Sequence, residues 1–180
     1  MKEGKMEYVC KGNGPRTLKG VARIFHARGD LIGKAACGGP LFVSDGLVER
    51  LDVAGTVEEA VQCFHEGGYG GFEVGDDATL TVGVEDWNGA RLIERVINYV
   101  RNASVVRAKA KPTTNEKYAF RSLMLRIGMG GPEYRDCRRA LLGKLSGNAA
   151  FATDESYEKF RERRKGYGGK KAETEGAESP

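Results

Sequence analysis

The sequence predicts a mainly helical α+β protein: a helical bundle with a small β-hairpin and a basic, helix-turn-helix-like pair towards its C-terminal end. Three observations predict this. Apolar residues recur at spacings of three and four through most of the chain, the mark of amphipathic helices. One stretch, residues 72–84, alternates with period two instead. Glycine clusters and Ser, Thr or Asn caps punctuate the helical segments.

The first apolar piece, Tyr8-Val9-Cys10, is short enough for a strand or an ordered arm. A helix pattern begins at Thr17, its expected cap. Leu18, Val21, Ile24, Phe25, Leu31 and Ile32 form its stripe, and Gly38-Gly39-Pro40 ends it. Gly29 interrupts that stripe, at a cost of about 1 kcal/mol against alanine if it stays helical. Ser44 caps a short helix through Leu51. Thr56 and Glu59 make a capping box for another, through His65.

Gly67 to Gly71 breaks the helical run. Phe72-Glu73-Val74 and Thr79 to Val84 then read as a hairpin around Asp76-Asp77. Two strands alone are marginal in water, so the hairpin must lean on helices or recruit the strand near Tyr8. A long helix is expected from Ala90 to Lys111, stopped by Pro112. Asn115 caps the next, with Tyr118, Phe120, Leu123, Met124 and Ile127 on one face and Gly128 as its stop. Pro132 opens a second helix, with Tyr134, Cys137, Leu141, Leu142 and Leu145 inward and Gly147 at its close. Thr153 caps a last helix to about Arg164, with Tyr157 and Phe160 packed inward. We expect an acidic helical lobe with the hairpin over residues 1–89, a basic helical lobe over 90–165, and a disordered tail over 166–180.

The net charge of +4 conceals a strong asymmetry. Residues 1–89 hold nine Lys and Arg against 14 Asp and Glu, whereas residues 90–170 hold 19 against eight. A solvated basic surface is the plain explanation. An excess of 11 positive charges in 81 residues favours a binding face for a polyanion or an acidic protein surface. Arg121, Arg126, Arg135, Arg138, Arg139 and Lys144 fall largely off the apolar stripes, as do Arg101 and Arg107. These eight are the candidate nucleic-acid or partner contacts. Arg135, Arg138 and Arg139 sit early on the second helix of the pair, where a helix-turn-helix meets the major groove. The N–H groups of Gly130-Gly131 are placed to hold a phosphate.

Other chemistries find little here. The four cysteines are scattered singly, which fits free thiols in a reducing compartment. Cys63 and His65, with Cys10, Cys37 and His26, lack the paired spacing of a zinc site. Asp76-Asp77 with Glu85 and Asp86 reads as an acidic turn rather than a metal cluster. Gly67 to Gly71 carries no Gly-Lys-Ser/Thr, so it is not a phosphate loop. With two histidines and no evident base beside a nucleophile, no catalytic residue, metal or cofactor is assigned, and the chain is read as a non-enzyme. No run of about 18 apolar residues offers a membrane span. Met1 to Lys11 lacks the apolar core of a secretory signal, so the expected location is the cytoplasm.

Three segments carry a family resemblance: Asn115 to Arg121, Arg126 to Arg135, and Arg138 to Phe151. They resemble a family of small proteins, labelled virulence-related, on mobile elements of gut Firmicutes. The block from Thr17-Leu18-Lys19-Gly20 through Gly46-Leu47-Val48-Glu49 is similar to the family's other recurring stretch. The likeness covers most of residues 17–160 and implies no catalytic residue. Such mobile-element proteins include inhibitors of the type II CRISPR effector nuclease. The resemblance therefore implies an anti-CRISPR acting on that effector, on double-stranded DNA or another nucleic acid, or on both. The alternative is a DNA-binding accessory protein or transcriptional regulator of the element.

Overall fold

A computed structural model describes residues 6–106 and 114–173, with an α+β architecture of seven α-helices and two small antiparallel sheets. Strand β1 (Met6–Cys10) pairs antiparallel with β5 (Leu80–Val84), which pairs in turn with β4 (Phe72–Val74). The hairpin does recruit the strand near Tyr8. Leu80, Val82 and Val84 alternate into the core, as period two requires. A second sheet joins β2 (Phe42–Val43) to β3 (Tyr69–Gly70). The sequence gives no sign of it, because two-residue strands leave no periodicity.

Helix α1 (Pro15–Ile32) forms the centre and packs on α4 (Trp87–Asn102), α2 (Asp45–Val53) and α3 (Val57–His65). Its N-cap is Gly14 with Pro15 following, not Thr17. A proline at the first helical position forfeits only an N–H that would have no partner anyway. One π-helical turn, Gly33–Cys37, continues it and ends at Gly38, whose φ is +63°. Gly29 stays inside the helix. A Cβ there would lie 2.4 Å from the carbonyl oxygen of Leu41. The glycine is required because the chain after the π-turn doubles back against the helix. Phe25, Phe64, Tyr69 and Phe72 form an aromatic cluster where the two sheets meet α1 and α3.

The caps of α2 and α3 form as expected. Ser44 Oγ accepts from the Leu47 N–H at 3.2 Å, and Thr56 and Glu59 close a reciprocal capping box. Helix α4 is shorter than predicted and starts earlier. Asp86 Oδ1 accepts from the Gly89 N–H at 2.9 Å, so Asp86 is the N-cap. The helix ends at Asn102, where Ala103 turns extended (ψ 133°), rather than running to Lys111. Residues 107–113, and with them Arg107, lie outside the described residues.

Helix α5 (Glu116–Arg126) is capped by Asn115, whose Oδ1 accepts from the Tyr118 N–H at 3.1 Å. Gly128, at φ +84°, stops it in the left-handed region that favours glycine. The second helix of the pair opens with a 3₁₀ turn at Pro132–Tyr134. It continues as α6 (Arg135–Gly143), four residues short of Gly147. Helix α7 (Asp154–Glu173) runs past Gly166, where the sequence predicts a tail, and residues 174–180 lie outside the described residues. Tyr157 and Phe160 pack tilted against Phe151 but stay 37 % and 44 % exposed, so they are not the inward anchors expected. One buried cluster takes residues from both sides of position 89, so the acidic and basic halves share a core. The boundary at 89 is one of charge.

Glu116 ties this arrangement together. Its carboxylate accepts from Lys34 Nζ at 2.8 Å and from the N–H and hydroxyl of Ser146 at 2.8 and 2.7 Å. It thus joins the start of α5 to the π-turn and to the loop after α6. The Lys34 ammonium, and then the Ser146 donors, hold its carboxyl at about 2 against an ordinary 4.5. A carboxyl with a lowered folded pKa stabilises the fold above its unfolded value, and that stability fades as pH falls from about 4.5 to about 2. Glu116→Gln is expected to cost about 1–2 kcal/mol at neutral pH, a figure kept small for a side chain partly open to water. Melting temperatures through that acid range should fall less steeply for the variant than for the wild type. Parallel curves would remove Glu116 from this role.

Candidate nucleic-acid interface

The predicted cations divide into three groups. Arg126, at the end of α5, and Arg135, at the start of α6, are exposed and have no ion-pair or hydrogen-bond partner among the described residues. Arg121 is exposed too, with one Nη1 bond at 3.3 Å to the carbonyl of Ala149. Arg139 meets only Asp136, one turn back at 3.7 Å, in a pair 78 % and 93 % exposed. Such an exposed pair contributes little and leaves the guanidinium open to water.

The second group serves the fold. Arg138 Nη1 donates to the carbonyls of Met129 and Gly131, the latter at 2.7 Å, and so closes the turn between α5 and α6. Arg101 Nη2 donates to the Lys11 carbonyl at 2.9 Å and to Asn13 Oδ1 at 3.1 Å, pinning the end of β1 to α4. Both keep their charge, because carbonyls do not neutralise it, but their geometry is fixed from inside.

Lys144 stands alone in the third group. Its Nζ lies 2.7 Å from Glu85 and 3.5 Å from Asp86. Burial opposes its charge, yet hydrogen bonds and attraction from these two carboxylates raise its pKa. Lys144 therefore stays charged and is ion-paired within the fold, with its charge turned to Glu85 and Asp86. Sequence spacing cannot reveal this, since the partners lie about sixty residues upstream.

Two arginines not singled out by sequence complete the surface. Arg91 and Arg95 share a face of α4, one turn apart, and both approach the ring of Tyr134. Their guanidinium carbons lie 5.2 and 5.7 Å from its centroid. Arg95 also donates through Nε and Nη2 to the Ile127 carbonyl, at 3.3 and 3.2 Å. Its Nη2 would sit 2.4 Å from a Cβ on Gly128, so the glycine turn leaves the room it occupies. Beside it runs a groove of about 330 Å³, lined by Arg95, Asn98, Tyr99 and Asn102 of α4 and by Arg126 to Gly128. No acidic side chain among the described residues lines it. The sequence signal was the spacing of Arg91 and Arg95 at i and i+4. Without the position of Tyr134 that spacing reads as a solvated helix face.

A larger groove of about 420 Å³ lies along Arg16, Lys19 and Arg23 of α1. There Arg23 pairs with Asp52 at 2.6 Å and Lys19 donates to the Asp52 carbonyl at 3.2 Å, so its charge is partly spent. Elsewhere, burial raises the pKa of the Cys137 thiol, which keeps it protonated. Among the described residues, no three or more His, Cys, Asp and Glu side chains gather as a metal site. None of the described helices is long and apolar enough to cross a membrane. No family model, curated protein or solved structure matches this chain.

Proposed function

We propose that this chain is a non-enzymatic, nucleic-acid-contacting protein of a mobile element that acts as an anti-CRISPR. It occupies a type II CRISPR effector nuclease, the DNA that nuclease must reach, or both. One observation carries the reading: Arg91, Arg126 and Arg135, on α4, α5 and α6, have no carboxylate paired to them among the described residues. Unpaired surface guanidinium groups suit phosphates, whose contacts position a protein on nucleic acid without reading sequence. The same charges suit an acidic protein surface, since opposite potentials attract across an interface. The choice of effector follows the resemblance read from the sequence of residues 115–151 alone.

A second reading is a DNA-binding accessory protein or regulator of the element. It is favoured by the α5–turn–α6 pair, which has the outline of a helix-turn-helix and carries Arg135 and Arg139 exposed on the second helix. Cleavage assays with a reconstituted effector separate the two. An anti-CRISPR blocks cleavage at near-stoichiometric ratios and binds the effector stably. A regulator leaves cleavage untouched and prefers its own upstream DNA to random duplex at fixed salt. Neither inhibition nor duplex affinity would end both readings.

A further inference from the structure

We infer that the α4 groove takes an unpaired nucleic-acid strand, with Trp87 as the platform on which a base stacks. The inference rests on the proposed nucleic-acid reading of this surface and names the form of nucleic acid it holds.

Trp87 is the only tryptophan of the chain and is 75 % exposed, at the first position of α4. An indole in water is an outlier that calls for a partner, since burial of so large a ring is strongly favourable. Arg91, Arg95, Asn98 and Asn102 follow at i+4, i+8, i+11 and i+15, all on one face of the helix. This stripe spans about 22 Å at the usual rise per residue, room for several nucleotides.

The chemistry changes along it in an ordered way. The indole comes first. Next come two guanidinium groups, held over Tyr134 at 5.2 and 5.7 Å. Last comes the acid-free groove with Arg126 on its far wall. Asn102 Nδ2 already donates to the Asn98 carbonyl at 2.7 Å, whereas the Asn98 side-chain amide has no partner among the described residues. The half-buried amide of Asn98 in this groove supplies a donor and an acceptor of the kind that pair with base edges. Glu85 and Asp86, the carboxylates next to Trp87 in sequence, are both engaged by Lys144, and the exposed Glu94 is the carboxylate of this face that lies between Arg91 and Arg95.

A duplex makes poor use of this surface. Its base faces are stacked inside, so an indole and a grooved amide would meet only sugar and phosphate. An unpaired strand offers phosphates to the arginines and open base faces to the ring, the combination by which single-strand binders hold their ligands.

The test uses the intact protein and its single tryptophan. Titration with a short oligothymidylate should quench Trp87 emission, and Trp87→Ala should weaken strand binding about tenfold in an anisotropy assay. Trp87→Phe should restore most of the loss, and duplex affinity should change less than about twofold in either variant. The side chain is exposed, so these substitutions leave the core intact. If duplex binds but the strand leaves emission unchanged, or Trp87→Ala keeps full strand affinity, this inference alone is overturned. If neither strand nor duplex binds, the nucleic-acid reading falls and this inference with it. Loss of effector inhibition in Trp87→Ala with strand affinity unchanged would assign Trp87 to a protein partner instead.

Discussion

Glutamine at both Arg126 and Arg135 is expected to weaken duplex binding at least tenfold at about 0.1 M salt and to reduce the salt dependence of binding by about two counterions. Each guanidinium that neutralises a phosphate releases close to one condensed cation, so the slope counts contacts directly. These two residues are the strongest candidates because no partner among the described residues competes for them. Lys144→Gln makes the contrast. Its ammonium is spent on Glu85 and Asp86, so removing it should leave the slope unchanged and lower stability by leaving those carboxylates unpaired. Arg138→Gln should likewise act on stability, since the turn carbonyls of Met129 and Gly131 lose their donor. Duplex titrations across a salt series decide the matter. A slope that moves with Lys144 or Arg138 and not with Arg126 and Arg135 would place the contact surface elsewhere.

Gly29→Ala should destabilise the protein by about 2–3 kcal/mol, the reverse of what helix propensity alone would give. Propensity favours alanine by about 1 kcal/mol inside a helix. Against that, the new Cβ would lie 2.4 Å from the carbonyl oxygen of Leu41 and 3.0 Å from its carbon. The obstacle is backbone, which cannot rotate away as a side chain can, so α1 or the Leu41 segment must shift. The melting temperature should fall by roughly 5–10 °C for a chain of this size. Gly46→Ala is the control. It sits in the first turn of α2 with only the Arg50 guanidinium 3.7 Å away, and should be neutral or slightly stabilising. A stabilised Gly29→Ala protein would mean that the chain does not pass so close to α1.

Much of the local structure was legible in the sequence, because caps and periodicity act over a few residues. Ser44, Thr56 with Glu59, Asn115 and Thr153 each announce a helix start that forms. The start of α4 was not legible, because Asp86 reads as part of an acidic turn and its capping role shows only once the Gly89 N–H is in place. The π-turn and the β2–β3 pairing were invisible for a different reason. The π-turn spans only Gly33–Cys37 and the strands two residues each, too short to leave a periodic pattern.

The candidate surface follows the same division. The sequence by itself determined that the second half carries a large excess of positive charge and that its helices keep those charges off their apolar stripes. Charge and periodicity are local properties and can be read without coordinates. Only the tertiary structure decided which of those charges remain available. It gave Lys144 to two carboxylates and Arg101 and Arg138 to carbonyls, and it left Arg91, Arg126 and Arg135 without a carboxylate partner among the described residues. A cation's availability depends on what lies within about 4 Å of it, and at that range the partners are set by packing rather than by sequence separation.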